Sequence, residues 1–269
     1  METAAVYVQG YGLLLAMMSL LWLASVRLRN ASIVDPAWGL TFVVAGWWYF
    51  GHTPGGDPTR KLLLMSLVTA WGLRLSAYLA WRNWGEDEDP RYQHFRRRYG
   101  PERYWWVSFF QVFVLQGTLS WIIGSPLMGA QVAGGPLGWL DAVAVAVWTV
   151  GFVFEAGSDL QLARFRARRR SSRELLTTGF WRYTRHPNYF GDAACWWGYG
   201  LLAVAAGGYG WALGSLLMTA LIIKVSGVAL LEKSMKSDKP GYAEYAARTS
   251  AFIPWPPKAP AEIVTRPRR

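Results

Sequence analysis

Seven apolar stretches, each close to the length of a membrane crossing, alternate with loops whose arginines fall almost entirely on one side. A helix needs about 20 mostly apolar residues to cross a hydrocarbon core. The candidates are residues 5–26, 32–51, 61–81, 106–123, 137–155, 189–207 and 210–231. Arg27 and Arg29 follow the first stretch, and Arg82, Arg91, Arg96, Arg97, Arg98 and Arg103 follow the third. Eight arginines lie between the fifth and sixth stretches, and eight Lys or Arg follow the seventh, so these four loops hold 24 of the 28 basic residues. On the other side are residues 51–58, an uncharged loop over 124–136 and a tight turn at Gly207-Gly208, with Arg60 and Lys61 the basic residues there. By the positive-inside rule, the expectation is an all-α membrane protein of seven transmembrane helices. Its N-terminus is outside and its C-terminus in the cytosol.

Composition fits that expectation and excludes several classes. The 17 Trp and 13 Tyr suit chains that place these rings at membrane interfaces. A net charge of +11 would suit nucleic acid, but the basic residues sit between apolar stretches, so no nucleic-acid partner is expected. A lone cysteine, Cys195, excludes an internal disulfide and multi-thiolate zinc sites, and His52, His94 and His186 have no ligand spacing. No metal site is expected. The first stretch lacks a basic leader and reads as a span that stays. With no internal repeat and no room for a soluble domain, residues 1–269 are expected to form one membrane domain.

Charged residues in or at the edge of spans are costly and therefore functional candidates. They are Asp35, Arg74, Glu155, Asp159, Asp192, Lys224 and Glu232, and the expected topology gathers all of them at the cytosolic side. Glu155, Asp159, Leu162 and Arg166 share one helical face, as do Arg74, Tyr78 and Arg82. Asn188 and Asp192 are one turn apart after His186-Pro187; proline favours a first turn, so Arg185, His186 and Asn188 flank a helix start where anions are favoured. Plainer readings stand beside these. The arginines set topology, the carboxylates act as interhelical struts, His186 is a loop residue, and Asp35 is an N-cap.

Several motifs are similar to those of the steroid 5-alpha-reductase family. These are Ser158-Asp159-Leu160-Gln161-Leu162 running to Arg166, Gly179-Phe180, Arg185-His186-Pro187-Asn188-Tyr189-Phe190-Gly191-Asp192, and Tyr245 through Ile253-Pro254. Ser32-Ile33-Val34-Asp35-Pro36-Ala37-Trp38-Gly39, Arg74-Leu75 and Glu88-Asp89-Pro90-Arg91-Tyr92 resemble its uncharacterised bacterial branch. The resemblance covers residues 32–257, leaving the first span (1–30) and a basic cytosolic tail (258–269) outside it. It implies seven helices around NADPH, open to the cytosol of a bacterial inner membrane. It also implies hydride transfer to a conjugated C=C bond of a lipid-soluble, steroid- or isoprenoid-like substrate.

Carried over by position, Arg74, Arg82, Glu155, Asp159, Arg166, Arg185, His186, Asn188, Asp192 and Glu232 would bind the cofactor. Asp35 or Tyr78 would supply the acid. Bidentate arginines suit the phosphates of a dinucleotide, and no Gly-x-Gly-x-x-Gly follows a strand, so a soluble nucleotide fold is not expected. The chain departs from the family at Trp71, where a tyrosine is usual; at Asp192, where glutamate is usual; and at Glu232, where a histidine is usual. Two alternatives remain. Arg185-His186-Pro187-x-Tyr189-x-Gly191 is shared with membrane methyltransferases that use S-adenosylmethionine. A transporter or scaffold would carry charge at the outer side too, where none is expected.

Overall fold

The computed structural model describes residues 2–171, 173–226 and 240–259. It is helical throughout, and among the described residues the β-type pairing is one isolated bridge, Thr184 to Ser250. Among the described residues, four helical runs are long and apolar enough to cross a membrane: Thr3–Leu28, Pro58–Asn83, Pro101–Val132 and Trp139–Arg168. Apolar helices of this length point to a lipid bilayer environment. The chain divides into two compact units, Met1–Ala146 with Trp197–Leu217 and Val147–Trp196 with Met218–Arg269.

In the first unit, α1 (Thr3–Leu28) stops at Arg29, whose backbone turns left-handed and closes onto Ser25 and Val26. The Asn30 side chain then accepts from Ser32 N, starting a single tight turn that leads into α2 (Val34–His52). Asp57 caps α3 (Pro58–Asn83), and Asp89 caps α4 (Pro90–Tyr99). Proline stands at each of these starts, where its missing N–H has no intrahelical partner to lose. α5 (Pro101–Ser108), a wider π turn (Phe109–Val114) and α6 (Leu115–Ile123) run on to α7 (Ser125–Val132).

Two expectations are corrected here. Residues 124–136 are not simply a loop, because 125–132 form α7, with Pro126, Leu127, Met128, Gly129, Ala130 and Gln131 all buried. An uncharged segment rich in small and apolar groups gains more by packing than by lying in water. Gly129 sits so close to Trp211 that a Cβ there would lie 2.4 Å from the indole side chain. The second correction concerns the end of α3 where no buried charge was expected. There Arg60 Nε and Nη2 donate to Asp141 Oδ1 and Oδ2 at 2.7 and 2.9 Å. Gly135 O and Pro136 O accept further bonds from Arg60, and Gly138 N donates to Asp141. Both side chains are almost wholly buried, and their polar atoms are engaged in this knot. It is a structural pair.

The helices α2 and α3 meet at Gly39 and Gly72. A Cβ on Gly39 would stand 2.5 Å from Gly72 O, so only hydrogen fits between the backbones. In the second unit α8 (Trp139–Arg168) runs antiparallel to α9 (Pro187–Ala205). Their register is read from Cys195 Sγ on Trp148 O, from Gly191 against Gly151 and Glu155, and from Asn188 beside Asp159. As expected, α8 continues as one helix through Arg166, and α9 opens at Pro187. α10 (Leu213–Leu221) follows a tight turn at Gly207 and Gly208. Among the described residues the last helix is α11 (Tyr242–Arg248), which is tied to residues 181–185.

The α8–α9 crossing predicts a sharp contrast between two glycines. A Cβ on Gly191 would lie 2.4 Å from Glu155 N and 2.5 Å from Gly151 O, whereas Gly12 has nothing within 4 Å. Gly191→Ala should destabilise the folded protein by about 1–3 kcal/mol, the usual cost of overpacking. Gly12→Ala should be neutral or slightly stabilising. Thermal melting of the two variants in one detergent checks this, and equal melting points would contradict the crossing.

Candidate functional site

The sequence-predicted residues fall into two groups, one in each unit. In the first unit Asp35 lies in the first turn of α2, one turn before Gly39. It is not a cap, since Asn30 holds that place for the preceding turn. Tyr92 OH donates to Asp35 Oδ1 at 2.7 Å, Arg91 Nη2 donates to Oδ2 at 2.9 Å, and Gln116 Nε2 donates to the Tyr92 oxygen at 3.2 Å. Tyr92 is a direct partner of Asp35 that the sequence names only within a motif. Burial and the adjacent Asp35 carboxylate push its phenol well above the ordinary tyrosine range, so it stays a neutral donor at physiological pH.

The same motif anchors the junction of α1 and α2. Glu88 accepts from Ala31 N at 2.7 Å and takes Arg96 in a two-pronged pair at 2.9 and 2.8 Å. Ser32 Oγ accepts from Asp89 N. Burial raises the Asp89 carboxyl, but hydrogen bonds and charge from Arg91, with Arg82 behind, outweigh it and hold Asp89 below the usual carboxylate range. The segments around residues 32 and 88, far apart in sequence, thus close on each other. Along α3, Arg74 and Tyr78 are half-buried and Arg82 is exposed. The Arg74 Nε and Nη2 atoms are buried, and the Tyr78 ring lies 6.0 Å from that of Trp81. Trp71 is fully buried between Phe42 and Tyr199.

In the second unit Glu155 and Asp159 are buried on α8, and Arg166 on the same face is exposed two turns beyond. Asn188 Nδ2 donates to Asp159 Oδ1 at 3.3 Å, with Asp192 one turn further along α9. His186 is buried and stacks on Tyr189 at 5.8 Å. Arg185 faces α11: its Nη1 donates to Ala246 O and Thr249 O at 2.9 and 2.6 Å, cations being favoured at a helix C-terminus. Tyr245 OH completes the same tie by donating to Trp181 O. Asp159, Asn188, Glu155, Asp192 and Arg166 therefore share one helix pair, while Arg185 holds the C-terminal segment. Glu232 lies outside the described residues. Among the described residues no group of three or more His, Cys, Asp or Glu is placed to hold a metal ion.

The two partners of Asp35 should differ in weight. The Arg91 side chain is 57% exposed, and exposed ion pairs contribute at most about 1 kcal/mol. Tyr92 is buried, and a hydrogen bond to a charged group is worth about 1.5–3 kcal/mol. Tyr92→Phe should therefore lower stability more than Arg91→Gln in parallel denaturation measurements. The reverse order would contradict the geometry.

Comparison with known proteins adds kinship. The family model described as a protein of unknown function, DUF1295, matches residues 21–249. An uncharacterised protein of the yeast Schizosaccharomyces pombe is 26% identical over 273 residues, spanning 90% of this chain and 78% of the relative. No solved structure matches the chain. With most of its length matched by that model, the chain belongs to the DUF1295 family.

Proposed function

We infer that this chain is a membrane-embedded, NADPH-dependent reductase of the steroid 5-alpha-reductase type, acting on a conjugated C=C bond of a lipid-soluble substrate. The reading includes seven spans, an outside N-terminus and a cytosol-facing cofactor site. The helices α2 and α9 and the run Tyr209–Lys224 would be the crossings that join the four long ones. The observation that carries the reading is the convergence of Asp159 and Asn188 on one antiparallel helix pair, continuous with the exposed Arg166.

This donor set fits a dinucleotide. A buried carboxylate beside an amide offers an acceptor and a donor to ribose hydroxyls or to a carboxamide. A guanidinium two turns on offers a fork for phosphate. Asp159, Asn188 and Arg166 would hold the cofactor, with Glu155 and Asp192 lining the same helix pair. The reduced nicotinamide, when bound, supplies the hydride. The chain's own work is to orient the groups and keep water out. The proton for the substrate carbonyl is assigned to the Asp35–Tyr92 pair: the Tyr92 phenol, rather than that of Tyr78, carries the proton, and the Asp35 carboxylate holds it by accepting its hydrogen bond.

Asp159→Ala should weaken NADPH binding by about 1.5–3 kcal/mol, the worth of a hydrogen bond to a charged group, with little change in melting temperature. Arg166→Lys keeps the charge but loses the fork, so affinity should fall there too. Quenching and blue shift of NADPH fluorescence measures both. Wild-type affinity in both folded variants would refute the placement.

A further inference from the structure

On the side of α8 away from Asp159 lies a second feature. At about 3.6 residues per turn, Phe154, Gly157, Gln161 and Arg164 follow one side of the helix, and Glu155, Asp159, Leu162 and Arg166 follow the opposite one. The first set, with the turn at residues 179–183, lines a cavity of about 590 Å³. Pockets that take small ligands run to about 300–1,000 Å³. Its floor is formed where the Phe180 ring lies directly on Gly157: a Cβ there would stand 2.6 Å from the ring. The Gln161 amide is engaged by Thr178 O at 3.0 Å and Phe180 N at 3.1 Å, so the polar group within the lining is already satisfied. Leu160 and Tyr183, 50% and 42% exposed, leave the groove accessible from outside. The charged side chain on the lining is Arg164.

We propose that this groove is a binding site for one anionic phospholipid, with an acyl chain along Phe154, Gly157 and Phe180 and the phosphate on Arg164. The groove straddles the place where α8 passes from an uncharged stretch, residues 142–154, into a run containing Arg164, Arg166, Arg168, Arg169 and Arg170. α8 is one of the runs long and apolar enough to cross a membrane, so this border falls at headgroup level. Basic clusters just beyond a span attract anionic lipids, and here an apolar trough lies beneath the charge. The proposal does not depend on the cofactor.

The test uses the purified full chain in detergent, titrated with phosphatidylglycerol or phosphatidylcholine, with bound lipid counted by native mass spectrometry. Wild type should retain phosphatidylglycerol in preference to phosphatidylcholine. Arg164→Gln should lower that occupancy about fivefold, the weight of one basic residue near anionic headgroups. Arg170→Gln removes the same charge outside the groove and should leave occupancy nearly unchanged. Equal occupancy by both lipids would overturn the proposal, as would equal losses in the two variants, which would mean diffuse attraction. A lipid-free dimer, with a second copy covering the groove, would overturn it too. NADPH affinity should be unchanged in Arg164→Gln; a loss there would put the groove in the cofactor site and overturn the proposal.

Discussion

Two helices bring their backbones into contact only where neither projects a side chain, and in each unit a glycine pair meets that condition. Gly39 against Gly72 joins α2 to α3, and Gly151 against Gly191 joins α8 to α9. In both cases the polar groups stand within two turns of the contact. Asp35 is one turn before Gly39. Glu155 and Asp159 are one and two turns beyond Gly151, and Asn188 and Asp192 flank Gly191. A methyl group on Gly39, Gly151 or Gly191 would have to move backbone atoms, since the nearest neighbours there are carbonyl oxygens and amide nitrogens. The 3.3 Å contact from Asn188 to Asp159 depends on that spacing.

The charged side chains divide by what surrounds them. Arg60 and Asp141 are saturated by each other and by the backbone. Glu88 and Arg96 are joined in a two-pronged pair, and Arg185 serves the carbonyls of α11. These groups hold the fold together. The stripe from Asp159 to Arg166 leads from a buried carboxylate to an exposed guanidinium along one helix face. A fixed set of acceptor, amide donor and guanidinium at one helix junction is what a dinucleotide would use.

Much of the scaffold was legible because its causes are local. Apolar runs anticipated the long helices, Pro187 marked the start of α9, and the spacing from Glu155 to Arg166 anticipated one continuous helix. The face shared by Asp159 and Arg166 followed from periodicity alone. What escaped detection depends on distant partners. Arg60 meets Asp141 across 81 residues, Arg185 meets Thr249 across 64, and Tyr92 meets Asp35 across 57. No local pattern distinguishes such an arginine from a topology signal, or such a tyrosine from an interface anchor. The burial of α7 was hidden for a related reason: lack of charge in residues 124–136 is compatible with a loop as well as a packed helix.

On the proposed reading, the α8–α9 helix pair holds a nicotinamide dinucleotide. Calorimetric titration of the purified wild-type chain with NADPH and, separately, with S-adenosylmethionine tests it most directly. Saturable heat is expected from NADPH and none from S-adenosylmethionine. Saturable heat from S-adenosylmethionine alone, or none from NADPH up to millimolar concentration, would contradict it.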